Sequence, residues 1–139
     1  MNIDFVHIGR HEHKLAISRA VGVKTLVGAA EAKSFDVVIE ATGSVGGFET
    51  SLSLVKPRGV LVLKSTIAAK EGLNLAAVVV DEITILGSRC GQFAPAMRLL
   101  ARKVIDPKPL ITAILPFEKA IEGFEKNKEE NTLKVLLQL

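Results

Sequence analysis

FDVVIEATGSVGG, residues 35–47, is the stretch that decides the fold. Val37, Val38 and Ile39 have the near-continuous hydrophobicity of a strand covered on both faces. Gly43, Gly46 and Gly47 follow at the point where a strand can swing into a helix. Phe48, Leu52 and Val55 then recur at helical spacing, and Lys56-Pro57-Arg58-Gly59 is read as the end of that helix. A second apolar run follows at once at residues 60–63. Strand, helix and strand with short connections make a β-α-β unit, with parallel strands and a right-handed crossover. In such sheets ligands bind where strands end and helices begin, which places residues 42–47 and 64–66 on the candidate binding edge.

Working outward, composition agrees with this reading. Nearly half of the 139 residues are hydrophobic, mostly Val, Ile, Leu and Ala, and Tyr and Trp are absent. That balance suits a parallel sheet flanked by helices better than a β-sandwich. The length is that of one domain, 1–139, large enough to form a core without disulfide or metal. The net charge of +3 is mild and its basic residues lack aromatic partners, so nothing points to nucleic acid. Cys90 is the single cysteine, which excludes an intrachain disulfide and makes a reducing cytoplasm the default. No apolar stretch reaches membrane-spanning length, and residues 1–14 are too polar for a signal peptide, so a soluble internal protein is expected.

Taken in order, the chain starts with a short strand over Ile3, Phe5, Val6 and Ile8, followed by a helix over residues 11–21 that Gly22 closes and a brief strand at 25–28. Residues 29–34 form an Ala-rich linker. Beyond the central unit, residues 73–85 read either as extended, from the Val78-Val79-Val80 triplet, or as helix before a strand at 83–86. Pro95 suits the first turn of a helix reaching Val104. A strand at 110–115, a helix marked by Phe117, Ala120, Ile121 and Phe124, and an alternating strand over Leu133, Val135, Leu137 and Leu139 complete the chain.

The succession DVVIEATGSVGGFETSLSLVKPRGVLVL, DEITILGSRCGQFAPAMRLLARKVIDPKPLITAILPFEKAIEGFE and LKVLL resembles the C-terminal part of a zinc-type medium-chain alcohol dehydrogenase. The resemblance covers essentially the whole chain. It implies a three-layer, Rossmann-like α/β fold with a mostly parallel sheet and helices on both faces, and a lineage that transfers hydride between an alcohol or polyol carbon and nicotinamide. It also implies that residues 110–139 include the tail that in the family returns to the catalytic domain. The first Rossmann strand, its G-x-G-x-x-G pyrophosphate turn and the zinc ligands of the catalytic domain would precede Met1 on this reading. The strand over residues 3–8 and that over 37–39 then lack their intervening neighbour. Direct closure between them, a strand donated by another chain and a loosely ordered product are the three outcomes, of which the first two are the expectation.

Family resemblance also assigns the site. Gly9 occupies the position where NAD-preferring domains carry an acidic residue, and Arg10, with His11 and Lys14 near it, is placed to meet the 2′-phosphate of NADP. The alternative is that Arg10 and Lys14 only solvate a helix start. Thr42 and Gly43, Ser65 and Thr66, and Ser88 and Arg89 follow successive strands and would line the same edge, beside ribose and nicotinamide; residues 43–47 serve equally as a structural turn. Cys90 is expected to be a small buried or half-buried residue.

His7, His11 and His13 do not make a metal motif, because Leu15 stands where H-E-x-x-H would place its second His, so no zinc is expected. Ile83, Ile85 and Leu86 lie on an edge strand, 83–86, through which a homodimer is expected, as in the family; pairing with a separate N-terminal half is the other partner implied. Two functions follow: a cofactor-domain piece of an NADP-linked dehydrogenase that is not catalytic alone, or a folded non-catalytic module acting, if at all, through oligomerisation.

Overall fold

A computed structural model describes residues 3–66 and 73–139. In chain order its elements are β1 (Val6–Gly9), α1 (Glu12–Ala20), β2 (Lys24–Val27), β3 (Phe35–Glu40), α2 (Val45–Leu54), β4 (Val55–Leu63), α3 (Ala76–Val80), β5 (Thr84–Gly87), α4 (Phe93–Ala101), β6 (Ile111–Pro116), α5 (Ala120–Lys126) and β7 (Lys134–Gln138). Every strand pairing among the described residues is parallel: β1 with β2, β3 with β4, β4 with β5, and β6 with β7. The fold class is therefore α/β with parallel sheets. Contacts divide the residues into two compact units, one of Met1–Ala29 with Gln92–Leu139 and one of Ala30–Gly91.

In the first unit, α1 carries the chain from β1 to β2, and Leu15 is its buried anchor. A Cβ on Gly9 would lie 3.1 Å from Leu15 Cδ2, so the end of β1 is small because α1 closes over it. The alternating tail finds its partner within the chain: β7 pairs with β6, and α5 packs on both through the buried Gly123, whose added Cβ would meet Leu137 Cδ2 at 3.3 Å.

The second unit is the β-α-β unit read from residues 35–63, extended by β5 into the sheet order β3-β4-β5. Phe48 and Leu52 of α2 are buried with Val55 and Leu61 of β4 and with Ile83, and Val38, Leu63, Ala77, Val78 and Ile85 pack around them. Each large apolar side chain buried here contributes about 1.5–3 kcal/mol of transfer free energy. Ser44 caps α2 by accepting from the Gly47 amide at 3.1 Å, which is why the helix starts where it does.

Three expectations are corrected. Val37 and Ile39 are 56% and 57% exposed, so β3 is covered on the Val38 and Glu40 face and not on both. Among the described residues β1 pairs with β2, and β3 with β4. Residues 56–59 do not simply end α2. β4 begins at Val55, directly after the helix, and these residues form an irregularity in which the register moves from Phe35↔Val55 to Val37↔Val60. Gly59 permits it, since a Cβ there would lie 2.8 Å from the Asp36 carbonyl and 2.7 Å from Val55 Cγ1. Cys90 is exposed and free. The ambiguous segment resolves as helix α3 followed by strand β5, the triplet Val78-Val79-Val80 being helical.

Candidate functional site

The predicted site residues fall in two groups, one in each unit. In the first, β1 ends at Gly9, whose carbonyl accepts from the Gly28 amide at 2.9 Å. Arg10 is exposed, and His11 takes the N-cap position of α1 in extended conformation, with no capping bond from its side chain. Its carbonyl accepts from the Lys14 and Leu15 amides at 3.1 and 3.2 Å. Thus Gly9, Arg10, His11 and Lys14 do gather where a strand ends and a helix begins, a place whose amides and dipole favour an anion. His7 is elsewhere engaged, its Nδ1 lying 2.7 Å from Ser18 Oγ. His11 Nδ1 lies 3.0 Å from Glu130 Oε1, a contact that sequence spacing does not suggest.

The second group is organised by Glu40, a residue sequence reasoning passed over. It ends β3, and its side chain is fully buried. Oε1 accepts from the Thr42 amide at 2.5 Å, Thr42 Oγ1 at 2.6 Å and the Gly43 amide at 3.3 Å. Gly43 also donates its amide to Ser65 Oγ at 2.9 Å, which fastens the turn after β3 to the end of β4. Gly43 has φ +74°, a left-handed conformation that suits glycine. Gly47 is needed for a different reason: a Cβ there would fall 1.7 Å from Thr42 Oγ1.

Burial pushes the Glu40 carboxyl up, but bonds from the Thr42 hydroxyl and amide and from the Gly43 amide, with the Ser65 hydroxyl nearby, outweigh it and hold the group below the usual carboxylate range. Glu40 Oε2 is buried without a hydrogen-bond partner among the described residues. The signal available in sequence was a charged residue closing an apolar strand two positions before a Thr-Gly turn.

Around this anchor the strand ends are cross-linked. The Lys64 amide donates to the Glu40 carbonyl and the Ser88 amide to the Leu63 carbonyl, both at 2.9 Å, while Lys64 Nζ donates to the Arg89 carbonyl. Thr42, Gly43, Ser65, Ser88 and Arg89 therefore belong to one connected edge, and Thr66 is exposed at the end of β4. The arrangement offers hydroxyls and backbone groups to a polar ligand, with a buried acceptor fixing their geometry. Among the described residues no group of three or more His, Cys, Asp or Glu side chains converges to hold a metal ion, and no zinc-dependent step is assigned to them. No helix is long and apolar enough to cross a membrane, among the residues described.

Residues 5–102 match the family model described as zinc-binding dehydrogenase. A sorbitol dehydrogenase of Mus musculus is 33% identical over 105 residues, covering 74% of this chain and 29% of that protein. The chain thus spans under a third of that relative's length. Among solved structures, L-idonate 5-dehydrogenase of Escherichia coli superimposes with a TM-score of 0.86 at 27% identity, over 96% of this chain and 42% of that one. A zinc-binding dehydrogenase-type protein of Sinorhizobium meliloti 1021, bound to NADP, gives 0.83 at 21% identity, over 96% and 44%, and supports the fold alone.

Proposed function

The chain belongs to the zinc-binding dehydrogenase family, and from that premise we propose that it is a cofactor-domain portion of an alcohol or polyol dehydrogenase that holds NADP(H) and does not turn over substrate by itself. The observation that carries the reading is the end of β1. Gly9 lies close under Leu15, whose Cδ2 would stand 3.1 Å from a Cβ at that position, and the exposed Arg10 stands beside it at the start of α1. A guanidinium there suits a 2′-phosphate, to which its fork can donate two hydrogen bonds. The connected edge of Thr42, Gly43, Ser65 and Ser88 would serve the ribose and nicotinamide portion, whose ring carries the hydride in such enzymes. The zinc and substrate groups of the reaction would come from protein outside these residues. Association through the edge strand β5, a cytoplasmic location and pairing with an N-terminal half remain part of the proposal.

The test is a titration of the purified chain with NADPH and with NADH, followed by nicotinamide fluorescence against a background free of Trp and Tyr. Saturable binding that favours NADPH, with the preference reduced roughly 10- to 100-fold by Arg10→Ala, is the expected result. Preference for NADH, or an Arg10→Ala variant with unchanged preference, would refute it.

A further inference from the structure

We propose that Glu130 is a specificity-determining residue for the anion site at the start of α1, an internal counter-charge that a bound 2′-phosphate must displace. The inference rests on the NADP(H) reading above. Its basis is a contact between distant parts of the sequence within one compact unit: Glu130 Oε1 lies 3.0 Å from His11 Nδ1 at the N-cap of α1. The other carboxylates nearby are already matched. Glu12 is bound to Arg19 at 2.6 Å, Glu125 to Lys128 at 2.7 Å and Glu129 to Lys126 at 3.5 Å. Glu130 alone of this charged run reaches across to the residues assigned to the phosphate.

The geometry makes the contact displaceable. The Glu130 side chain is 70% exposed, so its contact with His11 is screened and easily exchanged for water or a stronger anion. While it is in place it occupies a polar group of the site and sets a negative charge against any phosphate that Arg10, His11 and Lys14 attract. A ribose 2′-hydroxyl meets no such repulsion, because a carboxylate accepts a hydrogen bond from it. Glu130 therefore restores in space part of the acidic character that Gly9 lacks in sequence.

Charge removal should tighten binding of a phosphate dianion about three- to tenfold, for like charges a few ångströms apart near a solvated surface. The experiment compares wild type, Glu130→Gln, Glu129→Gln and Arg10→Ala in titrations with NADPH, NADH and adenosine 2′,5′-bisphosphate. Glu130→Gln should tighten NADPH and the bisphosphate and leave NADH unchanged or slightly weaker. Glu129→Gln, which removes equal charge from a residue facing Lys126, should change the NADPH to NADH ratio less than twofold, as expected of a screened surface charge. Equal effects of the two Gln variants, equal effects on both dinucleotides, or weaker NADPH binding in Glu130→Gln would overturn the proposal. If Arg10→Ala loses the bisphosphate while Glu130→Gln changes nothing, this inference fails and the phosphate site stands. If the wild type binds none of the three ligands, or Arg10→Ala binds like the wild type, the site reading fails and takes the role of Glu130 with it.

Discussion

Replacing Glu40 by glutamine and by alanine separates the charge of the buried carboxylate from the shape of the turn it supports. Its Oε1 takes two short hydrogen bonds from Thr42 and a longer one from the Gly43 amide. A hydrogen bond to a charged group contributes about 1.5–3 kcal/mol, and a buried donor left without an acceptor costs about 1–3 kcal/mol. Glu40→Ala loses the acceptor but also removes a buried charge, so the net loss should be about 2–4 kcal/mol. Glutamine keeps a neutral oxygen in place and should lose about 1–2 kcal/mol. Thermal unfolding at pH 7 should then fall by about 10 °C for alanine and about 5 °C for glutamine. Amide exchange at Thr42 and Gly43 should speed up in the same order.

The pH dependence fixes the sign. The folded carboxyl lies below its ordinary value, so its stabilisation is present above the unfolded value of about 4.3 and is lost as pH falls through the folded one. The gap between wild type and Glu40→Gln should therefore begin to narrow as pH drops below the unfolded value of about 4.3, where the unfolded chain takes up the proton first, and close once pH has fallen through the lower folded value, where the wild-type group is neutral too. A gap that widens on acidification, or a glutamine variant as stable as wild type at pH 7, would refute the assignment of a working charge.

Gly47→Ala should destabilise by about 1–3 kcal/mol in chemical unfolding, although alanine is the better helix former, because its methyl group collides with Thr42 Oγ1. Ser44→Ala should cost about 1 kcal/mol, and Ser44→Asp should recover most of it, since the carboxylate can cap the Gly47 amide in place of the hydroxyl. If β5 pairs across a two-fold axis, Leu86→Lys, at a side chain 54% exposed, should convert dimer to monomer in light scattering without lowering the unfolding temperature.

The β3-α2-β4 unit was legible because its signals are local: an apolar run, turn residues and a helical repeat within about 30 residues. Position within the sheet was not. An apolar triplet cannot tell whether both faces are covered, and Val37 and Ile39 turned out to lie on the exposed one. Pro57 and Gly59 carry turn chemistry, yet tertiary pairing absorbs them into an irregular β4. The site divides in the same way. Residues 9–14 and 42–43 were found because strand ends announce them. Glu40 escaped notice because its meaning lies in which amides it accepts from. Glu130 escaped because its partner is nearly the whole chain away.

An architecture whose described strand pairs are all parallel has a kinetic consequence. Each pair, such as Val6 with Lys24, Val38 with Leu61, Leu61 with Ile85 or Leu115 with Leu137, must bring together residues roughly 20 apart, and no tight hairpin offers a faster start. Loop-closure entropy is then nearly the same for all four, since even a doubling of loop length changes it by only about 0.6 kcal/mol. What differs is the apolar surface that each closure hides. Among the described residues, the β3-α2-β4 segment supplies Phe48, Leu52, Val55 and Leu61 to one buried cluster, which Ile83 joins. Folding should nucleate there, with the amides of β3 and β4 protected first in pulse-labelled exchange and the outer pairs adding afterwards; earlier protection of β1 or β7 would show a different order.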